Sequence, residues 1–300
     1  MTRKLDFQQA TIIYAGLGER KVERVMDETG GSFIVKPSSH PSREAMVYEQ
    51  VLPAISARYP KLLSQWEEES SGWLLFEDLG ELEHPYDLEA ASQVMTEMAR
   101  WHELPPAIMS GIAGEGVKPS YADMVAELRR DEARLADLLG GQDSGVDLRR
   151  LLAEIGSRTI DTDQVISHGD LHVGNYSLIG GQLYILDWEH AHLSCRYWDL
   201  FHVIDLSHPL YPRRTALAWR EELLQTYWEE AQRLGAKLDR EAFLQAYGQF
   251  AIIFSLWMLK LIAQDLSGDG GPWAREQLLV QQAETLAITL QLFEQYGSWI

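Results

Sequence analysis

The chain has 300 residues, 46% of them hydrophobic and 24% charged, which places it with globular proteins and excludes a disordered or fibrous one. Its net charge of −19 is uneven: residues 1–80 carry 9 basic and 12 acidic side chains, the remainder 17 and 33. Such a surface repels a phosphate backbone, so no nucleic-acid partner is expected.

The same acidity either draws in a cationic small molecule or serves solubility alone. The opening MTRKLDFQQA has no apolar run, so no secretory leader is expected. The most apolar stretch, Phe250 to Leu259, closes at Lys260, short of the ~20 apolar residues that span a bilayer. A single cysteine, Cys195, cannot form an internal disulfide. A cytoplasmic protein with no membrane partner is the expectation; oligomeric state leaves no mark in the sequence.

Taken in chain order, the first 80 residues read as strands with one helix. TIIYAGLGERKVERVM holds two β-like runs around a turn with Gly16 and Gly18, and GSFIVKP is a third. SREAMVYEQVLPAI spaces its apolar residues as a helix, with Ser42 as cap. WLLFEDLGE is a short strand that runs into a polar link. Beyond it helices dominate. Asp87 to Glu103 puts Leu88, Ala91, Met95, Met98 and His102 on one face, and Tyr121 to Leu139 is amphipathic. Pro212 and Gly235 bracket another helix, Asp239 caps one through FLQAYGQFAIIFSLWMLKLI, and a last one runs from about Pro272 to Tyr296. Only residues 168–190 look β-like in this half. The class is α+β, a small strand-rich lobe followed by a large helical one.

That β-like segment reads HGDLHVGNYSLIGGQLYILDWEH. YSLI and QLYIL around Gly180-Gly181 predict a hairpin. Folding about that pair sets Ile179 opposite Gln182 and Asn175 opposite Leu186, with Asp187 one rung further. Strands lie ~5 Å apart, so the Asn175 and Asp187 oxygens can share one Mg²⁺. A regular ladder would point them to opposite faces, so the hairpin end must twist or shift register. Asp170 precedes Asn175 by five residues. His-x-Asp-x-x-x-x-Asn with a later Asp at a strand end matches the catalytic loop and metal-binding aspartate of protein kinases.

HGDLHVGN followed by ILDWE strongly resembles the aminoglycoside phosphotransferase and choline kinase group. The resemblance implies a two-lobed protein-kinase-like fold, with residues 1–80 as the nucleotide-binding lobe and its connector. Residues 81–300 would form the helical lobe with catalytic loop and acceptor site. It implies ATP (or GTP) and Mg²⁺, and a small acceptor with a hydroxyl group. Asp170 would be the catalytic base, Asn175 and Asp187 the metal ligands, and His168 a support for the loop. Lys36 in FIVKP and Glu44 in SREAMVYEQ would be the phosphate-contacting lysine and the glutamate that holds it. Gly16 and Gly18 would cover the phosphates, although the third glycine of the protein-kinase loop is missing. LLFEDLGE would supply the backbone of Glu77, Asp78 and Leu79 to adenine, and Asp199 in CRYWDLFHV would brace the catalytic loop.

Other readings of these residues stay open. Glu189 either faces the acceptor or serves the structure. His172 reads as a hydrogen-bonder of its loop, and His190 with His192 has a spacing that zinc sites also use. A metal-dependent hydrolase would gather His168, Asp170, His172, Asp187, His190 and His192 into a dinuclear site, leaving Lys36, Glu44 and Asn175 without a task. A kinase-like binding protein without turnover is the other alternative, although every catalytic position is filled. The acidity beyond residue 80 favours a cationic hydroxyl compound, aminoglycoside-like or an amino-alcohol, with Glu189 as a candidate contact.

Overall fold

The computed structural model describes residues 9–15, 21–68, 71–112, 119–140, 148–155, 160, 163–213, 216–268 and 273–297. Five strands, β1 (Gln9–Ala15), β2 (Lys21–Met26), β3 (Ser32–Ser38), β4 (Leu62–Glu68) and β5 (Ser71–Glu77), form one antiparallel sheet in the order β1-β2-β3-β5-β4. Alternation sorts its two faces. Val25, Val35 and Leu75 make a small cluster on one face, while Leu74 and Phe76 join the main core on the other. Lys36 pairs with Leu74 across the β3–β5 ladder. This register turns the lysine toward the helix that follows.

That helix, α1 (Pro41–Met46), starts one residue before the expected cap, because Pro41 at its first turn already has the helical φ. Ser42 instead donates to Glu67 Oε1 at 3.3 Å. The helix widens into a π-turn over Val47–Val51 and tightens into a 3₁₀ turn over Leu52–Ala54. Val47, Val51 and Leu52 are wholly buried in the same cluster as the helices beyond residue 87.

In the helical half, α2 (Leu88–His102) is capped by Asp87, which accepts from the Ala90 N–H at 2.8 Å. The expected helix 121–139 breaks at Asp131 into α3 (Tyr121–Arg130) and α4 (Glu132–Leu138). α5 (Leu148–Ile155) was not visible in the sequence pattern. Two four-residue strands, β6 (Gln164–Ser167) and β9 (His192–Cys195), pair on either side of the expected hairpin β7 (Tyr176–Ile179) and β8 (Gln182–Ile185). Both Gly180 and Gly181 have positive φ, as the two-residue hairpin turn requires. α6 (Tyr197–Ile204) follows β9 at once.

α7 (Leu217–Arg233) begins after Pro212, not at it: Pro212 and Arg213 lie outside the helix, and Ala216 is its N-cap. α8 (Arg240–Ser267) is capped by Asp239, and α9 (Arg275–Tyr296) packs along it. Lys260 does not end the apolar run as expected. It sits inside α8, neutralised by Glu127 at 2.7 Å and Asp131 at 3.2 Å. By length and composition α8 could cross a membrane, but 78% of its most apolar window is buried by the rest of the chain.

Candidate active site

β6 delivers its C-terminal end to the loop His168–Asn175. Gly169 has φ +86°, and a Cβ there would strike the His190 carbonyl, so only glycine lets the loop pass. Four donors converge on Asp199 of α6: Ser167 Oγ at 2.8 Å, the His168 N–H at 2.8 Å, the Gly169 N–H at 3.1 Å and His102 Nε2 at 3.2 Å. His102 is in turn fixed by Tyr227, whose hydroxyl lies 2.8 Å from Nδ1 and 2.9 Å from Arg196 Nη1. Burial lowers the His102 pKa, so the neutral ring donates from Nε2. Burial alone would raise the Asp199 carboxyl. The hydrogen bonds from His102 and the His168 N–H instead hold it well below the usual range.

His168 donates from Nε2 to the Leu186 carbonyl at 2.7 Å and accepts the Asp170 N–H on Nδ1 at 3.3 Å. One imidazole thus ties the loop to the strand that carries Asp187. Asp170 is 29% exposed, with His172 Nε2 and His202 Nε2 each 3.8 Å from one of its oxygens. Asn175 donates from Nδ2 to the Asp170 carbonyl at 2.7 Å, which orients its amide.

The twist at the hairpin end is located at Asp187. Its φ of 57° and ψ of 65° make it the one non-glycine residue with positive φ among those described. The Leu186 N–H still bonds to the Asn175 carbonyl at 2.8 Å, so the register holds and the backbone turns immediately after it. A left-handed residue at this position carries backbone strain. The turn sends the carboxylate to Lys36, whose Nζ lies 2.5 Å from Asp187 Oδ1, 2.9 Å from Glu44 Oε1 and 3.3 Å from Glu189 Oε2. Burial would lower the lysine, but the three carboxylates raise it well above its ordinary value. Burial raises Glu44, whereas Lys36 outweighs burial at Asp187 and lowers it.

The structure therefore brings Lys36, Glu44, Asp187 and Glu189 into one cluster, with Asp170 and Asn175 on the adjoining loop. Glu189 is turned to Lys36 and to His190 Nε2 at 3.4 Å, and Arg43 clamps its carbonyl at 2.7 Å. Gly16 and Gly18 lie outside the described residues. Asp78 is held by Arg24 at 2.7 Å, Ser32 at 2.5 Å and the Gly80 N–H at 2.9 Å. The Glu77 N–H bonds to the Lys61 carbonyl at 3.0 Å.

Tyr14 on β1 was missed by the sequence reading. Burial raises its phenol, and the charges of Tyr211, Asp187, Asp170 and Glu189 add to the shift. Its only signal was adjacency to the Gly16 turn. The histidines do not assemble a dinuclear centre. His192 Nδ1 faces the His190 carbonyl at 2.8 Å, and His172 Nδ1 accepts the Gly174 N–H at 3.0 Å. Among the described residues no three His, Cys, Asp or Glu side chains gather as a metal cluster.

The model of the phosphotransferase enzyme family matches residues 11–238. The chain belongs to that family. It is accordingly a kinase-like phosphotransferase with an alcohol group as acceptor, on a two-lobed protein-kinase-like fold. Among solved structures it is similar to an aminoglycoside-3′-phosphotransferase of type VIII (20% identity, TM-score 0.50, 81% of this chain and 93% of that one). It is also similar to the amicoumacin kinase hAmiN in complex with AMP-PNP, Ca²⁺ and Ami (16%, TM-score 0.60, 96% and 90%). A third likeness is the Plasmodium vivax ethanolamine kinase (13%, TM-score 0.59, 96% and 83%). At these identities the likeness speaks for the fold. No curated protein matches the chain.

Proposed function

We propose that the protein transfers the γ-phosphoryl group of ATP to a hydroxyl of a small molecule, with Mg²⁺, from a cleft between residues 1–80 and 81–300. GTP is the other candidate donor, and the cytoplasm is the proposed location. The observation that carries this reading is the Lys36 cluster, in which three carboxylates share one ammonium. Glu44 Oε2 is buried there without a hydrogen-bond partner. Hard oxygens in excess of their cations, with the Asn175 amide alongside, suit a divalent cation. When bound by Asp187 and Asn175, Mg²⁺ would neutralise the nucleotide phosphates.

Lys36 would exchange part of its contact with Asp187 for phosphate oxygens while Glu44 keeps it in place. The backbone of Glu77, Asp78 and Leu79 would receive the base, and the Gly16–Gly18 turn would close over the phosphates. Asp170 would accept the acceptor's hydroxyl proton as that oxygen bonds to phosphorus and the bond to the nucleoside diphosphate breaks. His168 and Asp199 would hold the loop that aims it.

The acidic field of residues 81–300 favours a cationic group on the acceptor and should weaken with salt. Glu189 is a poorer contact for it than the sequence suggested, because its carboxylate already faces Lys36. The test is nucleotide consumption with a panel of cationic, neutral and anionic hydroxyl compounds, run beside Asp170→Asn. Acceptor-dependent turnover that Asp170→Asn leaves at the wild-type rate would overturn the assignment of Asp170. Absence of turnover with every acceptor of the panel would favour the catalytically silent binding protein.

A further inference from the structure

Three arginines are buried among the described residues. Arg220 has Asp205 at 2.7 Å and Arg196 has Glu103 at 3.2 Å. Arg213, 2% exposed, has no carboxylate within ion-pair distance of its guanidinium among the described residues. Its Nη1 donates to the Val203 carbonyl, its plane lies 4.5 Å over the Tyr86 ring, and its Nε–H has no acceptor. Glu284 is spent elsewhere: its Oε2 accepts the Arg213 backbone N–H at 2.8 Å and Ser207 Oγ at 2.7 Å. In a chain of net charge −19 counter-ions are plentiful, so a buried cation left without one is a costly arrangement that calls for a ligand.

Arg213 lines a cavity of about 220 Å³ together with His84, Tyr86, Val173, Leu210 and Tyr211. Its wall is shared with the catalytic loop. Val173 belongs to that loop, and the Tyr211 ring lies so close to Gly174 that no Cβ would fit there. Tyr211 is also 5.7 Å from the ring of His172, the neighbour of Asp170. A second buried polar atom without a partner, the Tyr176 hydroxyl, is near enough for Arg213 to act on its titration.

We propose that this cavity is an acceptor subsite for a carboxylate, which Arg213 receives in its fork while the acceptor's hydroxyl extends to Asp170. The inference rests on the phosphotransfer reading and sharpens it. At long range the acidic surface favours a cation; at contact, beside a guanidinium with no carboxylate partner, a carboxylate wins. One molecule meets both demands if it carries an ammonium and a carboxylate. The acceptor class is therefore a hydroxy amino acid or a compound built on one.

The probes are serine and its ω-hydroxy homologues of four to six carbons, each beside its carboxamide, which keeps the hydroxyl and the ammonium. Melting temperature with the probe alone reports binding, and nucleotide consumption reports transfer. We expect at least one acid to raise the melting temperature and to show kcat/KM ten- to a hundredfold above its amide. In Arg213→Met that ratio should fall to about one. Leu210→Trp narrows the cavity without touching the guanidinium; it should abolish the acid-induced shift while a nucleotide-induced shift shows that the fold is intact. An acid-specific shift that Arg213→Met abolishes, without turnover, would keep the subsite and overturn the phosphotransfer reading. Turnover of acid and amide at equal rates, or no acid-specific shift with any homologue, would overturn the subsite.

Discussion

Asp187 and Asp199 belong to adjoining elements, yet their surroundings differ in kind. Asp199 is wholly buried and receives four donors, so nothing further is wanted of it. Asp187 is 36% exposed on its side chain, sits on a strained backbone and shares its one cation with two other carboxylates. A saturated carboxylate holds a structure in place, whereas an unsaturated one is poised for a ligand. The difference lies in the count of partners and in access to solvent.

The largest effect should come from the loop that Asp199 holds. Asp170→Asn, with nucleotide affinity nearly unchanged, should lower kcat by roughly 10²–10⁴. Steady-state kinetics with a nucleotide-binding control checks it. A parallel loss of nucleotide binding would mean that Asp170 belongs to the unsaturated cluster and not to the acceptor side.

Next comes the direct contrast. Asp199→Asn turns an amide toward donors that need an acceptor, and should cost about 3–5 kcal/mol of unfolding free energy. Asp187→Asn should change the stability of the nucleotide-free protein by no more than about 1 kcal/mol, because Lys36 keeps the Glu44 and Glu189 carboxylates. It should nevertheless abolish metal-dependent nucleotide binding. Urea melts of both variants without ligand give the answer, and equal losses would break the comparison. The pH dependence follows the same division. The Asp199 pKa is lowered in the fold, so its contribution is present above the ordinary carboxylate range and is lost as pH falls toward the depressed value.

Gly169→Ala probes how closely the saturated region is packed. The positive φ and the collision with the His190 carbonyl together should cost about 1–3 kcal/mol. A neutral result in thermal melts would show that the loop can move away from His190.

Much of this was legible in the chain. The Gly180-Gly181 hairpin followed from turn chemistry, and Lys36 and Glu44 from their order on a strand and the next helix. What the sequence withheld is mostly long-range. Hydrophobic spacing placed His102 on the buried face of α2, but not that it would meet Asp199 of α6. Nothing in ILDWE announces that Asp187 turns left-handed; the conflict of faces in the ladder only showed that something must. β6 and β9 have four residues each, too few for periodicity to distinguish them. Arg213 follows Pro212, where a helix start was the simpler reading, and its solitude is visible only once every carboxylate has been placed.

The smallest predicted effect concerns a group on the acceptor side. His208 stacks on His172 at 4.3 Å between centroids and accepts the Leu210 N–H on Nδ1 at 3.2 Å. Burial, with His172 adding to it, pushes its imidazole down to about 3. An unfolded histidine titrates near ~6.5, so below that pH the unfolded chain takes up a proton that the fold refuses. The penalty is absent above 6.5 and grows as pH falls. At full strength it would approach ~1.4 kcal/mol per pH unit. Partial exposure and screening reduce this to about 1 kcal/mol in all between pH 7.5 and 5. His208→Gln keeps an acceptor for the Leu210 N–H and cannot take up a proton. The stability gap between wild type and this variant should therefore move by that amount in the variant's favour on acidification. The carboxylates, common to both proteins, cancel in the difference. Asp199 keeps its contribution throughout this interval, so any loss here belongs to the histidine side of the loop. A gap that does not move with pH would mean that the imidazole is solvated and takes up its proton in the folded protein.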